Sequence, residues 1–195
     1  LIYFYGGSWQ FGDKNMYRFL GQAFASKGFI TVVVNYRMYP DVYFPSFMHD
    51  GAKAVRWVHD NIQKYKGDNN QIYLVGHSAG AHIAALLTTN EDYIKAEDGK
   101  TSWIKGMIGL AGPYDFLPFT DPKIKALFSK EDDFKTQPIN YVKPGLPPFF
   151  LATGDEDTTV RPKNTINLAK RLRQSNVPVT EIIYPNVAHI GIILS

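Results

Sequence analysis

The sequence predicts an α/β protein, a three-layer sandwich in which helices cover a mostly parallel sheet. Short apolar runs alternate with helix-patterned segments almost throughout the 195 residues. The run from Phe29 to Asn35 is β-branched and apolar on both faces, which is typical of a buried parallel strand. Loops of such sheets gather at the carboxyl ends of the strands, so we expect a functional site there.

The predicted elements follow one another in a regular order. Strands are expected at residues 1–5, 29–35, 72–75, 105–111, 149–153 and 180–184. Helices are expected at residues 16–27, 47–65, 164–175 and directly after residue 78. From the spacing of apolar residues, Phe19 and Leu20 share one face of the first helix, and Val55 and Trp57 on the second helix are expected to turn inward.

One domain accounts for the whole chain, residues 1–195. A long connection at about 113–148, rich in Pro, Phe, Lys and Asp, interrupts it. Long insertions of this kind often form lids, so we expect a partly helical cap. Both ends of the chain fall inside apolar runs, and the domain is therefore expected to be truncated at both ends.

The composition narrows the class of function. A net charge of +3, without a long Lys/Arg run, argues against nucleic acid as a partner. The absence of cysteine excludes disulfides, a thiolate nucleophile and a cysteine metal site. No stretch approaches the ~20 apolar residues of a membrane span. The compartment and the oligomeric state stay open.

Ser78 lies at the centre of a Gly-x-Ser-x-Gly pattern. An apolar strand leads into Gly76, and an alanine-rich helix begins directly after the serine. This strand–turn–helix context is that of a nucleophile elbow. Gly76 and Gly80 let the strand and helix approach closely, and the hydroxyl is held at the positive end of the helix. Ser78 is therefore the candidate nucleophile.

A serine hydroxyl needs a base, and the base needs a group that orients it. Of the five histidines, His189 alone follows the downstream acids and lies just past a strand end. His77 and His82 are near Ser78 in sequence, but neither ring easily turns to a base position against its own backbone. His189 is therefore the candidate base.

Three acids compete for the orienting role. Asp155, Glu156 and Asp157 follow the strand at 149–153, between the nucleophile and the base, as the order serine, acid, histidine requires. The loop resembles a G-x-x-D-x-x-V turn in which the fourth residue is the triad acid. Asp157 is the candidate on that resemblance, and the other two acids are expected to be structural or solvated.

The attacked carbonyl also needs an oxyanion hole, a set of N–H donors. One donor is expected from Ala79, the residue after the nucleophile. Others are expected from the loop after the first strand, which reads Tyr5-Gly6-Gly7-Ser8-Trp9. Glycine-rich turns are common, but this one lies at a strand end and upstream of the elbow. That position strengthens its assignment as the oxyanion loop.

Together these residues resemble the α/β-hydrolase superfamily, and within it the hormone-sensitive-lipase-like and feruloyl-esterase-like carboxylesterases. Those enzymes carry His-Gly-Gly-Gly-Trp where this chain has Tyr5 to Trp9. The similar segments also include Gly12 to Lys14, Val34 to Arg37, Gly76 to Ala81, Gly112 to Asp115, Gly154 to Val160 and Tyr184 to His189. The resemblance implies the α/β-hydrolase fold, with its first two strands and last helix missing from the chain.

The resemblance also implies which residues of the oxyanion loop donate N–H groups, and this chain differs from the family sequence at two positions of that loop. It implies that Gly7 and Ser8 supply N–H groups to the oxyanion hole while Gly6 shapes the approach. Tyr5 stands where the family has histidine, and Ser8 stands where it has a third glycine. Serine keeps its N–H but tolerates positive φ less well, so we expect a working but slightly altered hole.

The predicted activity is hydrolysis of carboxylic esters with small, aryl or short-chain acyl groups through an acyl-enzyme. The expected partner is a small-molecule ester, and neither a metal nor an organic cofactor is needed. Trp9 and Tyr114 have the best claim to the substrate pocket because each directly follows a strand end. The alternatives are an aryl formamidase or peptidase using the same triad, and a catalytically silent protein-binding relative.

Overall fold

A six-stranded parallel sheet forms the centre of the computed structural model, which describes residues 1–194. The strands are β1 (Ile2–Phe4), β2 (Val32–Val34), β3 (Ile72–His77), β4 (Ile104–Leu110), β5 (Phe149–Gly154) and β6 (Val179–Tyr184). Their order is β2-β1-β3-β4-β5-β6, and every neighbouring pair is parallel. The predicted α/β class with a mostly parallel sheet is confirmed.

Helices connect these strands. Across the described residues the α-helices are α1 (Arg18–Ala25), α2 (Ser46–Asn61), α3 (Ala79–Thr89), α4 (Glu91–Ala96), α5 (Pro122–Phe128) and α6 (Lys163–Gln174). Short 3₁₀ turns occur at Lys14–Tyr17, Ile62–Tyr65, Thr101–Trp103, Asp133–Thr136, Pro138–Tyr141 and Gly191–Ile193. The insertion at 113–148 thus contains α5 and two of the 3₁₀ turns.

The two faces of the sheet are covered unequally. The step from β1 to β2 runs opposite to all later steps, so right-handed crossovers place α1 on one face and α2, α3 and α6 on the other. On the face of α1, Tyr3 packs against Tyr17 at 5.8 Å between ring centroids, but Ile108 is only half-buried. On the opposite face, Leu74 and Met107 are fully buried.

An aromatic cluster joins the insertion to the rest of the fold. Its members are Trp9, Phe44, His82, Phe116 and Phe128. The Phe128 ring, on α5, lies 5.0 Å from the ring of Trp9 and 5.2 Å from that of Phe44. His82 extends from α3, and its Nε2 donates to the carbonyl of Thr136 at 2.8 Å. The insertion is therefore packed and hydrogen-bonded onto the helix that follows Ser78.

Several predicted details of the elements are wrong. Trp57 was expected to turn inward, but 46% of its surface is exposed, and Phe19, on the apolar face of α1, is 44% exposed. The apolar spacing of α1 and α2 identifies a buried stripe, but residues at the margin of such a stripe are set by what the rest of the fold places against them. The run from Phe29 to Asn35 is also not a fully buried strand. It contributes the short, half-buried edge strand β2.

Candidate active site

The turn after β3 holds Ser78 in a strained conformation. Ser78 has φ 54° and ψ −124°, a combination that non-glycine residues rarely adopt. A Cβ on Gly76 would lie 2.3 Å from the carbonyl oxygen of Gly80, and one on Gly80 would lie 2.0 Å from that of Phe4. Both positions therefore require glycine. The Ser78 N–H donates to Leu110 at 2.9 Å, which holds the turn against β4.

A line of hydrogen bonds runs from this serine to a buried carboxylate. His189 Nε2 lies 2.9 Å from Ser78 Oγ, and His189 Nδ1 lies 2.7 Å from Asp157 Oδ2. The second oxygen, Asp157 Oδ1, accepts the N–H groups of Thr159 and Val160 at 3.0 and 2.8 Å. Because both of its oxygens are engaged, the carboxylate is fixed in place. The structure therefore brings together the three side chains predicted as nucleophile, base and acid.

The neighbouring acids take other positions. Asp155 accepts the N–H of Asn186 at 2.8 Å, and the backbone N–H of Glu156 donates to Val187 at 3.2 Å. Both acidic side chains are exposed, whereas Asp157 is 2% exposed. Asp155 and Glu156 thus tie the loop of residues 154–157 to the loop that carries His189, and only Asp157 contacts the imidazole.

The predicted oxyanion residues converge on Ser78 from two elements. Ala79 begins α3, where the first N–H groups of a helix have no intrahelical acceptor. Gly6 lies against the elbow, because a Cβ on it would be 3.1 Å from the Cβ of Ser78. Gly7 has φ 117° and Ser8 has φ 52°. Within residues 1–194, the N–H groups of Gly7, Ser8 and Ala79 donate to no protein acceptor, so they are free for a ligand.

A cavity of about 480 Å³ opens beside Ser78. Its apolar wall comprises Trp9, Phe116, Leu117, Phe119 and Ile124. Its polar side comprises Thr158, Thr159, Arg161, Lys163, Asn164 and Asp121. Most of the apolar wall comes from the insertion at 113–148. The cavity therefore lies between the elbow, the loop of Trp9, the insertion and the start of α6.

Tyr114 does not line this cavity, contrary to the prediction. Its side chain is fully buried: a Cβ on Gly109 would stand 2.0 Å from its hydroxyl oxygen, and a Cβ on Gly112 would stand 2.4 Å from its ring. Burial raises the pKa of the Tyr114 hydroxyl. The residue does follow a strand end, but the chain turns its ring back under β4 into the core. Trp9, the other predicted pocket residue, does line the cavity.

Two buried polar residues that were not predicted hold the cavity wall in shape. Asn164, on α6, accepts the N–H groups of Tyr114 and Asp115 at 3.0 and 2.9 Å. Gln137 accepts the N–H of Phe116 at 2.8 Å. Both are at most 4% exposed. The sequence feature that could have indicated the role of Asn164 is its place as a polar residue on the inward face of a predicted amphipathic helix.

None of the described helices is both long and apolar enough to cross a membrane.

Comparison with known proteins identifies the family. The BD-FAE family profile matches residues 1–172, most of the chain. The chain belongs to the BD-FAE family. Its resemblance to the carboxylesterases of the α/β-hydrolase superfamily is thereby confirmed.

Two named relatives are similar to the chain over nearly its whole length. The chain is 28% identical to Probable isoprenylcysteine alpha-carbonyl methylesterase ICMEL1 of Arabidopsis thaliana, over 97% of this chain and 44% of that protein. It is also 28% identical to Esterase LipC of Mycobacterium tuberculosis, over 97% of this chain and 52% of that protein. The chain thus spans about half the length of the curated relatives it matches.

A solved structure shares the fold. A truncated form of a carbohydrate esterase from gut microbiota superposes with a TM-score of 0.87, at 22% identity, over 98% of this chain and 78% of that one. At this identity the match establishes the shared fold alone.

Proposed function

We propose that this protein hydrolyses carboxylic esters through Ser78, His189 and Asp157. The observation that carries the proposal is the continuous line Asp157–His189–Ser78, with contacts of 2.7 and 2.9 Å. A nucleophile bonded to a base, which is bonded in turn to an orienting carboxylate, is the arrangement that activates a serine hydroxyl. The names of the relatives, which include an esterase and a methylesterase, support the same reaction class.

Each residue has a defined role in the proposed reaction. Ser78 Oγ attacks the ester carbonyl while His189 Nε2 accepts its proton. Asp157 keeps Nδ1 protonated, so that Nε2 presents a lone pair to the hydroxyl, and it stabilises the imidazolium that forms. His189 then protonates the leaving alcohol. A water, deprotonated by His189, releases the acid from the acyl-enzyme and restores Ser78.

The oxyanion is proposed to bind the free N–H groups of Gly7, Ser8 and Ala79. Donors placed in advance at the site of developing charge lower the barrier without having to reorganise. The departure at Ser8 does not remove a donor, since serine has a backbone N–H like the family glycine. The φ of 52° there is the conformation that the third glycine would adopt at less cost.

The domain is proposed to be a single hydrolase catalytic unit, residues 1–195, in which the insertion at 113–148 acts as a cap. The supporting observation is that Phe116, Leu117, Phe119 and Ile124 form most of the apolar wall of the cavity beside Ser78. A cavity of about 480 Å³ with an aromatic wall favours small, aryl or short-chain acyl groups.

Labelling with a fluorophosphonate tests the chemistry. An active serine hydrolase is phosphonylated at its nucleophile, so intact-protein and peptide mass spectrometry should find the adduct on Ser78. The matched control is Ser8→Ala, which removes the other serine of the site and should label as the wild type does. A wild-type protein that stays unlabelled would indicate a silent, protein-binding relative instead.

A substrate panel tests the specificity. Among p-nitrophenyl esters of increasing acyl length, we expect the highest kcat/KM for acetate to butyrate. N-formylkynurenine and a short peptide amide serve as the formamidase and peptidase arms. Activity confined to long-chain esters, or seen only with the formamide or the peptide, would contradict the substrate assignment.

A further inference from the structure

The ring of His77 lies where three parts of the site meet. His77 is the last residue of β3 and 2% of its surface is exposed. Its Nε2 lies 3.1 Å from the carbonyl oxygen of His189, and the two imidazole rings are 4.9 Å apart between centroids. On its other side, Nδ1 lies 3.0 Å from where a Cβ on Gly6 would stand. The ring thus touches the elbow, the oxyanion loop and the loop of His189.

The direction of the His77 hydrogen bond follows from its acceptor. A carbonyl oxygen only accepts, so His77 carries a proton on Nε2 and donates it to His189. Burial, the largest influence, lowers the pKa of His77 to about 4. The ring is therefore uncharged at neutral pH, with its single proton on the nitrogen that faces His189.

Two hydrogen bonds from the acid loop hold the His189 loop at residues that precede His189. Asp155 holds the N–H of Asn186, and the N–H of Glu156 holds the carbonyl of Val187. Both come from the acid loop. His77 contacts the main chain of His189 directly, and it does so from the end of the strand that leads into Ser78. Its hydrogen bond therefore ties the base to the nucleophile across two intervening strands, β4 and β5.

We infer that His77 is a positioning residue, which donates a hydrogen bond to the His189 carbonyl and so holds the base imidazole at bonding distance from Ser78. This inference rests on the proposed hydrolase function. The proton transfer depends on a separation of 2.9 Å between Nε2 and Oγ. Since His77 adjoins Ser78 in the chain, the same short segment sets the position of both partners in that transfer. Because the His77 ring is uncharged, it does not repel the positive charge that develops on His189 during the reaction.

The test replaces the donor while keeping the volume. His77→Leu fills a similar space without donating, and His77→Gln keeps an N–H at nearly the same reach as Nε2. His77→Asn carries the same amide on a shorter side chain and does not reach the His189 carbonyl. The control for loss of an imidazole is His59→Leu, because the His59 ring stacks on Trp103 and neither residue lines the cavity beside Ser78. Each variant is measured for kcat and KM with p-nitrophenyl acetate, for its rate of fluorophosphonate labelling, and for denaturant unfolding at pH 7.

We expect His77→Leu and His77→Asn to lower kcat by about 10–100-fold with KM within about threefold, because a displaced base slows proton transfer and not binding. His77→Gln should recover kcat to within about fivefold of the wild type, and labelling rates should follow kcat. A residue that only stabilises the fold would show falls in kcat that track the loss of unfolding free energy, without rescue by glutamine.

The outcomes separate two failures. If the wild type neither hydrolyses the ester nor labels at Ser78, the proposed function is overturned, and this inference falls with it. If the wild type is active and His77→Leu has an unchanged kcat, the inference alone is overturned. It is also overturned if glutamine gives no recovery relative to leucine and asparagine, or if His59→Leu loses as much activity.

Discussion

Two tight turns meet at the candidate site, and they achieve their geometry in different ways. The nucleophile elbow (residues 76–80) spans the end of β3 and the start of α3, and the oxyanion loop (residues 6–9) follows the neighbouring strand β1. In the elbow, one non-glycine residue, Ser78, has positive φ, and backbone atoms closely flank its two glycines. In the oxyanion loop, two successive non-glycine residues, Ser8 and Trp9, have φ of 52° and 57°.

The difference shows where each conformation comes from. The conformation of the elbow is imposed locally, because the strand, the two glycines and the helix that follows allow the backbone a single conformation there. The oxyanion loop pays about 1–2 kcal/mol for each left-handed non-glycine residue, and its own sequence does not require that shape. Tertiary packing offsets the cost, because Trp9 is 4% exposed and lies against Phe116, Phe128 and His82.

The largest expected effect contrasts the two serines of these turns. Ser78→Ala removes the proposed nucleophile and should lower kcat by about 10⁶-fold. Ser8→Ala keeps the backbone N–H that the oxyanion hole uses, so kcat should stay within about threefold of the wild type. Steady-state kinetics with p-nitrophenyl acetate checks both. An equal loss in Ser8→Ala would mean that its hydroxyl takes part in the reaction.

The next largest effect separates the adjacent acids. Asp157→Asn should lower kcat by about 10⁴-fold, because an amide favours the wrong tautomer of the base. Asp155→Asn is the matched control, since its amide oxygen still accepts the N–H of Asn186. Its kcat should change by no more than about threefold, and the midpoint of its denaturant unfolding should stay the same as that of the wild type. Similar losses in both variants would contradict the assignment of Asp157.

Adding one methyl group to each turn tests the contrast between local and tertiary control. In Gly80→Ala the new Cβ meets the carbonyl oxygen of the fully buried Phe4 at 2.0 Å, so we expect a loss of about 3–5 kcal/mol in unfolding free energy. In Gly7→Ala the Cβ meets the carbonyl oxygen of Phe11 at 2.0 Å, but Phe11 is 62% exposed and its segment has room to shift.

Gly7→Ala should therefore lose less stability, under about 2 kcal/mol, while kcat falls because the donor moves. Denaturant unfolding and steady-state kinetics on the same samples check both quantities. The contrast between the turns fails if Gly7→Ala unfolds as readily as Gly80→Ala.

A smaller effect concerns the buried histidines on either side of Ser78. Burial lowers the pKa of both His77 and His82 from 6.5 to about 4 in the folded protein. Between pH 6.5 and about 4, the unfolded chain binds protons at these histidines that the folded chain does not. The free energy of unfolding is therefore at its full value above pH 6.5 and falls as the pH drops toward 4. Each group contributes up to about 3 kcal/mol to this loss.

Denaturant unfolding at pH 7, 5.5 and 4.5 measures this slope. His82→Gln keeps a donor toward Thr136 and does not titrate, so its stability should fall less steeply with pH than that of the wild type. Equal slopes for the two proteins would contradict a depressed pKa for His82.

Much of the fold and the elbow could be predicted from local signals. All six strands and the alternation with helices follow from the apolar patterns of short segments. The geometry around Ser78 follows from two glycines between a strand and a helix. The order serine, acid, histidine nominated Ser78 and His189 but left three acids open, and the resemblance of the loop to a G-x-x-D-x-x-V turn selected Asp157. The structure brings these three residues within hydrogen-bonding distance.

What the sequence determined by itself was therefore the conformation of segments a few residues long, because backbone dihedral preferences and side-chain periodicity act over that range. Only the tertiary structure decided the burial of Tyr114, the exposure of Trp57, the left-handed Ser8 and the contact between His77 and His189, 112 positions apart. These features depend on which distant segments become neighbours in the sheet, and a pattern within a few residues of sequence does not determine those neighbours.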